Sequence, residues 1–225
     1  MESVRLNKGD IFERVFVNEP GLELHIEQEE CSRVKIVVLN LSAPSDRSNN
    51  FDISNKITVS QLGEGCETEI YGLAFLHGEQ HVTTETHVLH AVGGGQSHQL
   101  VKFVLDDNAR GRFIGDLKIA QDAQHTEAHQ TNRNLLLSET AEMRTQPQLE
   151  IYADDVQATH GASTGQLDES ALFYMQQRGI DQQKARQLLV GAFMKEVIDK
   201  IGDTDSLPFR EEMSALLDPI NGIIE

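Results

Sequence analysis

The sequence contains no tryptophan, and aromatic side chains of all kinds make up only 5% of its 225 residues. This scarcity disfavours a surface that binds single-stranded nucleic acids or sugars by stacking. Cysteine is almost as rare, since Cys31 and Cys66 are the only two. Two thiols are too few for a disulfide framework, and they cannot form a four-thiolate metal site within one chain. Any such site would have to borrow ligands from another protein.

Basic residues are also scarce: 19 lysines and arginines stand against 36 acidic residues, and the formal net charge is −17. A field of this sign repels phosphate backbones and anionic lipids, so the sequence predicts no nucleic-acid partner and no membrane partner. The first residues, from Met1 to Lys8, contain no apolar stretch typical of a signal peptide. No window approaches the ~18 apolar residues of a membrane span. The sequence therefore predicts a soluble, cytoplasmic protein.

Short β-like segments fill the chain from about residue 3 to residue 165. Segments such as 34–39, 57–60, 99–105 and 149–152 combine β-branched residues with period-two alternation, and Gly, Asn, Asp or Pro residues bound them. This pattern is typical of a β-sandwich, a barrel or a solenoid.

An apparent repeat favours the solenoid. The segment 84–87, Thr-Glu-Thr-His, recurs as Thr-Glu-Ala-His at 126–129, and the Gly-led segments 72–76 and 115–119 precede the two copies. The offsets are 42 and 43 residues, which would correspond to two coils of about 21 residues each. The sequence therefore predicts a mainly β fold, a parallel β-helix with stacked rungs of about 21 residues.

The hydrophobic pattern changes to a period of 3.6 after Gly165. We therefore divide the chain into a parallel β-helix core, residues 1–165, and a small C-terminal α-helical domain, residues 166–225. Three helices are predicted in this second part, and the third begins near Ser206.

Capping residues and an apolar stripe define the first two helices. Asp168 is suited to cap a helix that ends before Gly179, and Asp181 is suited to cap a longer one. The predicted apolar face of this longer helix comprises Ala185, Leu188, Leu189, Ala192, Phe193, Val197 and Ile201. An isolated amphipathic helix gains little stability in water, so this face must meet the β region or a second protein.

Histidine is unusually frequent, with nine copies, and one interpretation is a histidine-rich metal-binding module. His77, His81 and His87 have the same parity, which would place them on one face of an extended strand with Glu79 and Glu85. The spacing matches no compact metal motif, and histidines on exposed strands are commonly ordinary polar residues.

A second interpretation is a carbohydrate-active lyase or hydrolase with a β-helix fold. Asp154 and Asp155 form an acidic pair shortly before His160. Paired carboxylates beside an imidazole could provide acid and base catalysis. The shortage of aromatic side chains for sugar stacking argues against this interpretation.

Four segments in the second half of the chain stand in a characteristic order. They read AHQTNRNLLLS at 128–138, PQLEIYADDV at 147–156, THGAS at 159–163 and LFYMQQRGI at 172–180. Together they closely resemble the SufB/SufD family of iron-sulfur cluster assembly proteins. The resemblance covers about two thirds of the chain, and several motifs in a fixed order make it specific.

Within this family the sequence is SufD-like, because Gly161 follows His160 where the SufB pattern has Glu, and because no cysteine follows Cys66. The resemblance implies a right-handed parallel β-helix followed by a helical domain, and a noncatalytic scaffold subunit. The helical region that precedes the β-helix in the family is expected to be missing here, since β-like sequence begins almost at Met1.

The resemblance also implies partners. In the family, SufD pairs with SufB through the last strands of the two β-helices, and the C-terminal helices dock the ATPase SufC. A transient iron-sulfur cluster shared with SufB is expected at this junction, with His160 as a ligand or at the site of iron entry, and no tightly held cofactor is expected in the isolated chain. Open terminal strands can also pair two copies, so a homodimer is expected when SufB is absent.

The implied site residues fall into two groups. The interface with SufB, or with a second copy, comprises Leu149, Ile151, Tyr152, Val156 and His160. The helices expected to dock SufC contribute Leu172, Phe173, Arg178, Leu188, Leu189, Phe193 and Val197.

Overall fold

The computed structural model describes residues 1–42 and 51–201, and this part of the chain is a parallel β-solenoid followed by two helices. The strands are β1 (Glu2–Leu6), β2 (Ile11–Val17), β3 (Glu23–Gln28), β4 (Arg33–Leu41), β5 (Asp52–Gln61), β6 (Glu67–Leu76), β7 (His81–His90), β8 (Gln96–Leu105), β9 (Arg110–Ile119), β10 (Glu127–Leu136), β11 (Glu142–Ile151) and β12 (Gln157–Gln166). The helices are α1 (Glu169–Gln177) and α2 (Gln182–Ile198).

The strands form two parallel sheets of six strands each among the described residues. Sheet A has the order β1-β3-β5-β7-β9-β11, and sheet B has the order β12-β10-β8-β6-β4-β2. Each turn of the solenoid therefore contributes one strand to each sheet, and successive turns stack at the spacing of a β ladder, about 4.8 Å. The predicted fold class, a mainly β parallel β-helix with C-terminal helices, is confirmed.

The predicted rung of about 21 residues holds only for the first turn, where Ile11 of β2 and its ladder partner Arg33 of β4 are 22 residues apart. In the later turns it is wrong, because equivalent positions of sheet B are separated by 34, 29, 31 and 30 residues, in the series Arg33, Glu67, Gln96, Glu127 and Gln157. The two copies of the apparent repeat lie in β7 and around the start of β10, which belong to different sheets. They do not occupy equivalent positions, because short alternating polar segments recur on strands of either sheet without marking the period.

Interior and outer side chains alternate along the strands, as the period-two pattern predicted. In β7 every second residue, from Val82 to His90, is buried, and the residues between them are half-buried. The predicted segments 34–39, 57–60 and 99–105 lie within β4, β5 and β8. Aliphatic side chains from both sheets, such as Ile26, Ile36, Ile57, Ile70 and Leu117, fill the interior.

The two described helices begin at the predicted caps. The Asp168 carboxylate accepts hydrogen bonds from the backbone N–H groups of Ser170 and Ala171, and Asp181 accepts one from Lys184. Gly179 follows α1 with a φ of 84°, in the left-handed region that favours glycine. Neither helix in this part of the chain is long and apolar enough to cross a membrane.

Helix α2 lies on the outer face of sheet B, where it packs on β6 and β8. Its buried residues are Ala185, Val190, Gly191, Met194 and Val197. Together with Ile201 they cover outward-facing residues of the sheet, such as Leu100 and Val104.

The predicted apolar stripe of α2 is partly correct. Ala185, Val197 and Ile201 are buried, Leu188, Leu189 and Phe193 are half-buried, and Ala192 is exposed. Val190 and Met194 take the central positions instead, because the sheet that covers the helix decides which part of a broad apolar surface is buried. The predicted third helix, from Ser206 onward, lies outside the described residues, and the division at residue 165 stays a prediction.

Candidate functional site

The last turn of the solenoid leaves an open strand at the end of each sheet. Within the described residues β11 pairs only with β9 and β12 pairs only with β10, so each strand has a free edge with unpaired backbone groups. β11 carries charged residues and Pro147, features that protect an edge from pairing. β12 has no charged residue and no proline, and nearly all of its residues are exposed. β12 is therefore the unprotected edge.

His160 is the fourth residue of β12 and lies opposite Gln130 of β10 in the ladder. Gln130 and its alternate neighbours Ala128 and Asn132 are buried, so His160 occupies an interior-facing position of the solenoid. Because no described turn covers β12, His160 is nevertheless exposed. Its imidazole forms no hydrogen bond with another described residue.

Side-chain amides support the last turn from inside. Asn132 and Asn134 on β10 exchange hydrogen bonds of 3.1 and 2.8 Å, and Asn134 Nδ2 also donates to the carbonyl oxygen of Ser163 at 3.2 Å. Gln130 Nε2 lies 3.5 Å from Gln99 Oε1 on the preceding strand of sheet B. The interior beneath His160 is therefore polar, although the sequence analysis had not identified these amides. The run of polar residues at 130–134 was the sequence signal from which they could have been predicted.

The predicted interface residues around β11 differ in exposure. Leu149 and Val156 pack partly buried against the interior cluster. Ile151 and Tyr152 are 43% and 58% exposed, and they form an apolar surface where β11 ends. Lys118 Nζ lies 5.5 Å from the centre of the Tyr152 ring. The structure therefore brings an exposed apolar pair and His160 to the same turn of the solenoid.

The predicted docking residues of α1 divide in the same way. Leu172 is buried, whereas Phe173 and its neighbour Tyr174 are 63% and 58% exposed. The Arg178 guanidinium lies 4.8 Å from the centre of the Tyr174 ring. α1 thus presents two largely exposed aromatic side chains.

The predicted docking residues of α2 face the β-helix more than the solvent. Val197 is fully buried, Phe193 is half-buried, and both belong to the apolar cluster on the outer face of sheet B. Leu188 and Leu189 are half-buried. Their proposed contact with a partner stays a prediction.

A buried lysine that the sequence analysis missed anchors α2. Lys102, on the outward face of β8, is only 2% exposed. Its ammonium group forms an ion pair with Glu196, donates to the carbonyl oxygen of Phe193 at 2.7 Å and lies 4.6 Å from the Phe193 ring centre. Arg133 of β10 also contacts Glu196, at 3.3 Å. The hydrogen bond from Lys102 lowers the pKa of Glu196, and the nearby positive charges act in the same direction.

The signal for this anchor was present in the sequence. Lys102 stands between Val101 and Phe103, in a segment that is apolar on both faces. A lysine at such a position is buried only if a partner neutralises it.

The histidines of the predicted metal module do not converge. His81 contacts Asp52 at 3.1 Å, His87 contacts Asp116 at 3.5 Å, and His77 is buried and bonded to Ser42. Six residues of extended strand separate His81 from His87, roughly 20 Å. Within the described residues no group of three His, Cys, Asp or Glu side chains could hold a metal ion.

The residues of the predicted lyase centre have other partners. The Asp155 carboxylate pairs with His125, with Nδ1 and Oδ2 2.9 Å apart, in the turns that precede β10 and β12. His125 and Asp155 are both strongly exposed. This geometry is that of a surface ion pair, and it gives no observation in favour of a sugar-cleaving site.

The two cysteines lie far from the last turn. Cys66 is fully buried, and burial raises the pKa of its thiol. Cys31 is exposed in the turn between β3 and β4. Four strand spacings separate β4 from β12 in sheet B, roughly 19 Å. Neither thiol of this chain is close to His160.

Comparison with known proteins identifies the family. A family profile described as the SufBD core domain of the SUF system for FeS cluster assembly matches residues 23–193. An iron-sulfur cluster assembly SufBD family protein of Synechocystis is 37% identical over 178 residues, which is 78% of this chain and 37% of that protein. The iron-sulfur cluster assembly protein SufD of Escherichia coli is 41% identical over 147 residues, which is 65% of this chain and 35% of that protein.

A plant protein is also similar: the chloroplastic protein ABCI7 of Arabidopsis thaliana is 34% identical over 176 residues, 78% of this chain and 36% of that protein. The chain thus spans little more than a third of the length of these relatives. The matched region contains both the β-solenoid from β3 onward and most of α2. The chain therefore belongs to the SufB/SufD family of iron-sulfur cluster assembly proteins, within which it is SufD-like.

Proposed function

We propose that this chain is a noncatalytic, SufD-like scaffold subunit of a cytoplasmic complex that assembles iron-sulfur clusters. In this role it pairs with SufB, docks the ATPase SufC, and lends His160 to a transient cluster that is the product of the complex. The observation that carries the proposal is the open strand β12, which is uncharged and exposed and has His160 near its middle. Family membership supplies the chemical context.

The free edge of β12 supports pairing with another β-helix. Its backbone N–H and C=O groups can form a ladder with a strand of a partner, and natural proteins rarely leave a long uncharged edge unprotected. Ile151 and Tyr152 add an apolar contact on the neighbouring sheet. With SufB absent, the same edge would pair two copies of this chain.

Charge and thiol distribution support a shared cluster site. A neutral imidazole is a ligand suited to iron, and thiolates commonly complete such a site. Cys66 is buried and Cys31 lies on a distant turn, so the thiolates near His160 would come from the partner. A single imidazole holds a cluster less firmly than a full set of thiolates, as a scaffold that releases its product requires.

The pairing is tested with a charge on the open edge. A Cβ at Gly161 would meet no atom within 4 Å, so Gly161→Lys should leave the isolated chain folded. We expect this variant to lose complex formation with SufB, and to lose self-association, when mass is measured by light scattering. The matched control is Ser3→Lys, on the exposed strand β1 at the opposite end of the solenoid. Equal SufB binding by both variants would contradict the role of β12.

The ligand role is tested by His160→Ala. We expect this variant to bind SufB and SufC normally and to lower the rate of cluster assembly in the reconstituted complex at least tenfold, measured by visible absorption. His25→Ala, a histidine of β3 near the other end, is the control and should assemble clusters at the normal rate. Unchanged assembly by His160→Ala would exclude the role.

Docking of SufC is tested at α1. Phe173 is 63% exposed, so Phe173→Ser should not lower stability but should weaken SufC binding in calorimetry. Ile11→Ser is the matched control, since Ile11 is 64% exposed at the other end of the chain. Equal affinity of the two variants for SufC would contradict docking at this surface.

A further inference from the structure

The ladder of sheet B sets a glutamine directly beneath His160. Gln130 of β10 is the register partner of His160, and Gln99 of β8 is the register partner of Gln130. In a parallel ladder, equivalent side chains of neighbouring strands point to the same face at a spacing of about 4.8 Å. Gln99, Gln130 and His160 thus form a column on the interior face, with His160 at its open end.

The carboxamide of Gln130 is held in a defined place. Gln130 is 1% exposed. A Cβ at Gly115 of β9 would come within 2.5 Å of Gln130 Nε2 and 2.6 Å of its Oε1, so the amide fills the space that the glycine leaves. Gln130 Nε2 is directed to Gln99 Oε1, at 3.5 Å. In the structure the amide nitrogen thus faces the preceding strand.

This orientation leaves a buried acceptor unused. Gln130 Oε1 has no hydrogen-bond partner within the described part of the chain. Buried acceptors without a partner are unfavourable and uncommon in native proteins. The same-face neighbours of His160 on β12 are Ala158 and Ala162, which carry no donor. Among the interior-facing side chains of β12 next to Gln130, the imidazole of His160 is thus the one that can donate to this oxygen.

The two side chains are not hydrogen-bonded in the structure. We propose that Gln130 is a positioning residue for His160: a rotation of the exposed imidazole lets Gln130 Oε1 accept the N–H of one ring nitrogen. This hydrogen bond holds the neutral ring in a single tautomer and leaves the lone pair of the other nitrogen directed away from the interior. Pairing of β12 with another strand excludes water and strengthens the bond. The role in cluster assembly rests on the proposed function, whereas the hydrogen bond itself does not.

The hydrogen bond is tested by nitrogen NMR on the full chain with labelled histidine. We expect one dominant tautomer of His160, assigned by its loss in His160→Ala. Gln130→Leu should shift the ratio to that of free histidine, and Gln130→Met is a second variant without an acceptor. Gln61→Leu is the control, since Gln61 is equally buried but lies on β5 of the other sheet, and this variant should keep the single tautomer. An unchanged ratio in the Gln130 variants would overturn the proposal.

The connection to assembly is tested in the complex with SufB and SufC. Gln130→Leu should slow assembly several-fold, less than His160→Ala does, and the double variant should be no slower than His160→Ala alone. Multiplied losses in the double variant would mean that Gln130 acts elsewhere, and would overturn the positioning role. Unchanged assembly by His160→Ala, with the tautomer shift still present, would refute the proposed function and leave the hydrogen bond established.

Discussion

An early turn and a late turn of the solenoid have the same backbone arrangement and different interiors. The interior face of β4 carries Val34, Ile36 and Val38, whereas the equivalent face of β10 carries Ala128, Gln130 and Asn132. In one column of sheet B the residues change from Ile36 and Ile70 to Gln99, Gln130 and His160. A β-solenoid can therefore have a polar interior where side-chain amides form hydrogen bonds with one another and with the backbone. In this chain the polar interior lies next to the open strand β12.

Support from outside differs as well. The outward residues of the middle strands, including Leu100 and Val104, are covered by α2, and Lys102 fastens this helix to the sheet. The interior near β12 has fewer apolar contacts, and the packing of α2 on the outer face of sheet B adds apolar contacts there. The comparison predicts that substitutions in the aliphatic and in the amide part of this column differ in their cost.

The largest effect on stability is expected when an aliphatic residue of this column is replaced by an amide. Ile70→Gln should destabilise the fold by about 3 to 5 kcal/mol, because it removes apolar contacts and buries an amide among aliphatic side chains. The reverse exchange, Gln99→Leu, should cost at most about 2 kcal/mol, because it removes one 3.5 Å contact with Gln130 Nε2, while Gln99 Nε2 already lacks a partner in the described residues. Urea unfolding measures both. Equal losses in the two variants would mean that the aliphatic and the amide parts of the column do not differ energetically.

The second prediction concerns a histidine in the interior whose pKa is strongly shifted. His90 is fully buried, is hydrogen-bonded to Ser97 at 2.8 Å, and has its pKa lowered by burial to about 4. Below the unfolded value of about 6.5, the unfolded chain binds a proton that the native chain does not. Stability should therefore fall by about 3 kcal/mol between pH 6.5 and pH 4.

The control is His90→Gln, which should remove most of this pH dependence while stability at pH 8 changes less. The smaller slope that persists includes His98, whose pKa is also lowered, mainly by burial. Urea unfolding at a series of pH values makes the measurement. An unaltered slope in the variant would show that other groups cause the acid sensitivity.

The smallest effect is expected at the ion pair between Lys102 of β8 and Glu196 of α2. Glu196→Gln should destabilise the chain by about 1 to 2 kcal/mol, because it leaves the buried Lys102 with weaker compensation. The pKa of Glu196 is lowered in the native state, so its contribution is complete above the unfolded pKa and is lost as pH falls through the native one. Asp199→Asn breaks the exposed pair with Lys195 and is the control, with an expected change below about 0.5 kcal/mol. Thermal unfolding distinguishes the two variants. Equal decreases in their unfolding temperatures would contradict a stabilising role of the Lys102–Glu196 ion pair.

Local signals predicted the elements of this fold well. Period-two alternation located β4, β5 and β8, and the caps Asp168 and Asp181 located both described helices. The rung length was wrong for the turns after the first, because a short echo between segments of two sheets imitated a period. Only the ladder, with a spacing of 22 residues in the first turn and 29 to 34 residues in later ones, reveals which strands stack.

The candidate site was predicted unevenly. His160 came from the family resemblance, and its place on an open edge agrees with that expectation without testing its role. Gln130 and Lys102 were not predicted, because a polar residue in a strand normally faces solvent. Their burial depends on what the neighbouring strands and α2 place around them.

The sequence by itself determined the class of the fold, the helix boundaries and the family, because these depend on residues that are close along the chain or on ordered motifs. The tertiary structure alone decided which polar residues lie inside and which strand stays unpaired. The physical reason is the parallel ladder, which sets residues about 30 positions apart in contact at about 4.8 Å. Gln130 and His160 are such a pair, and no local pattern joins them.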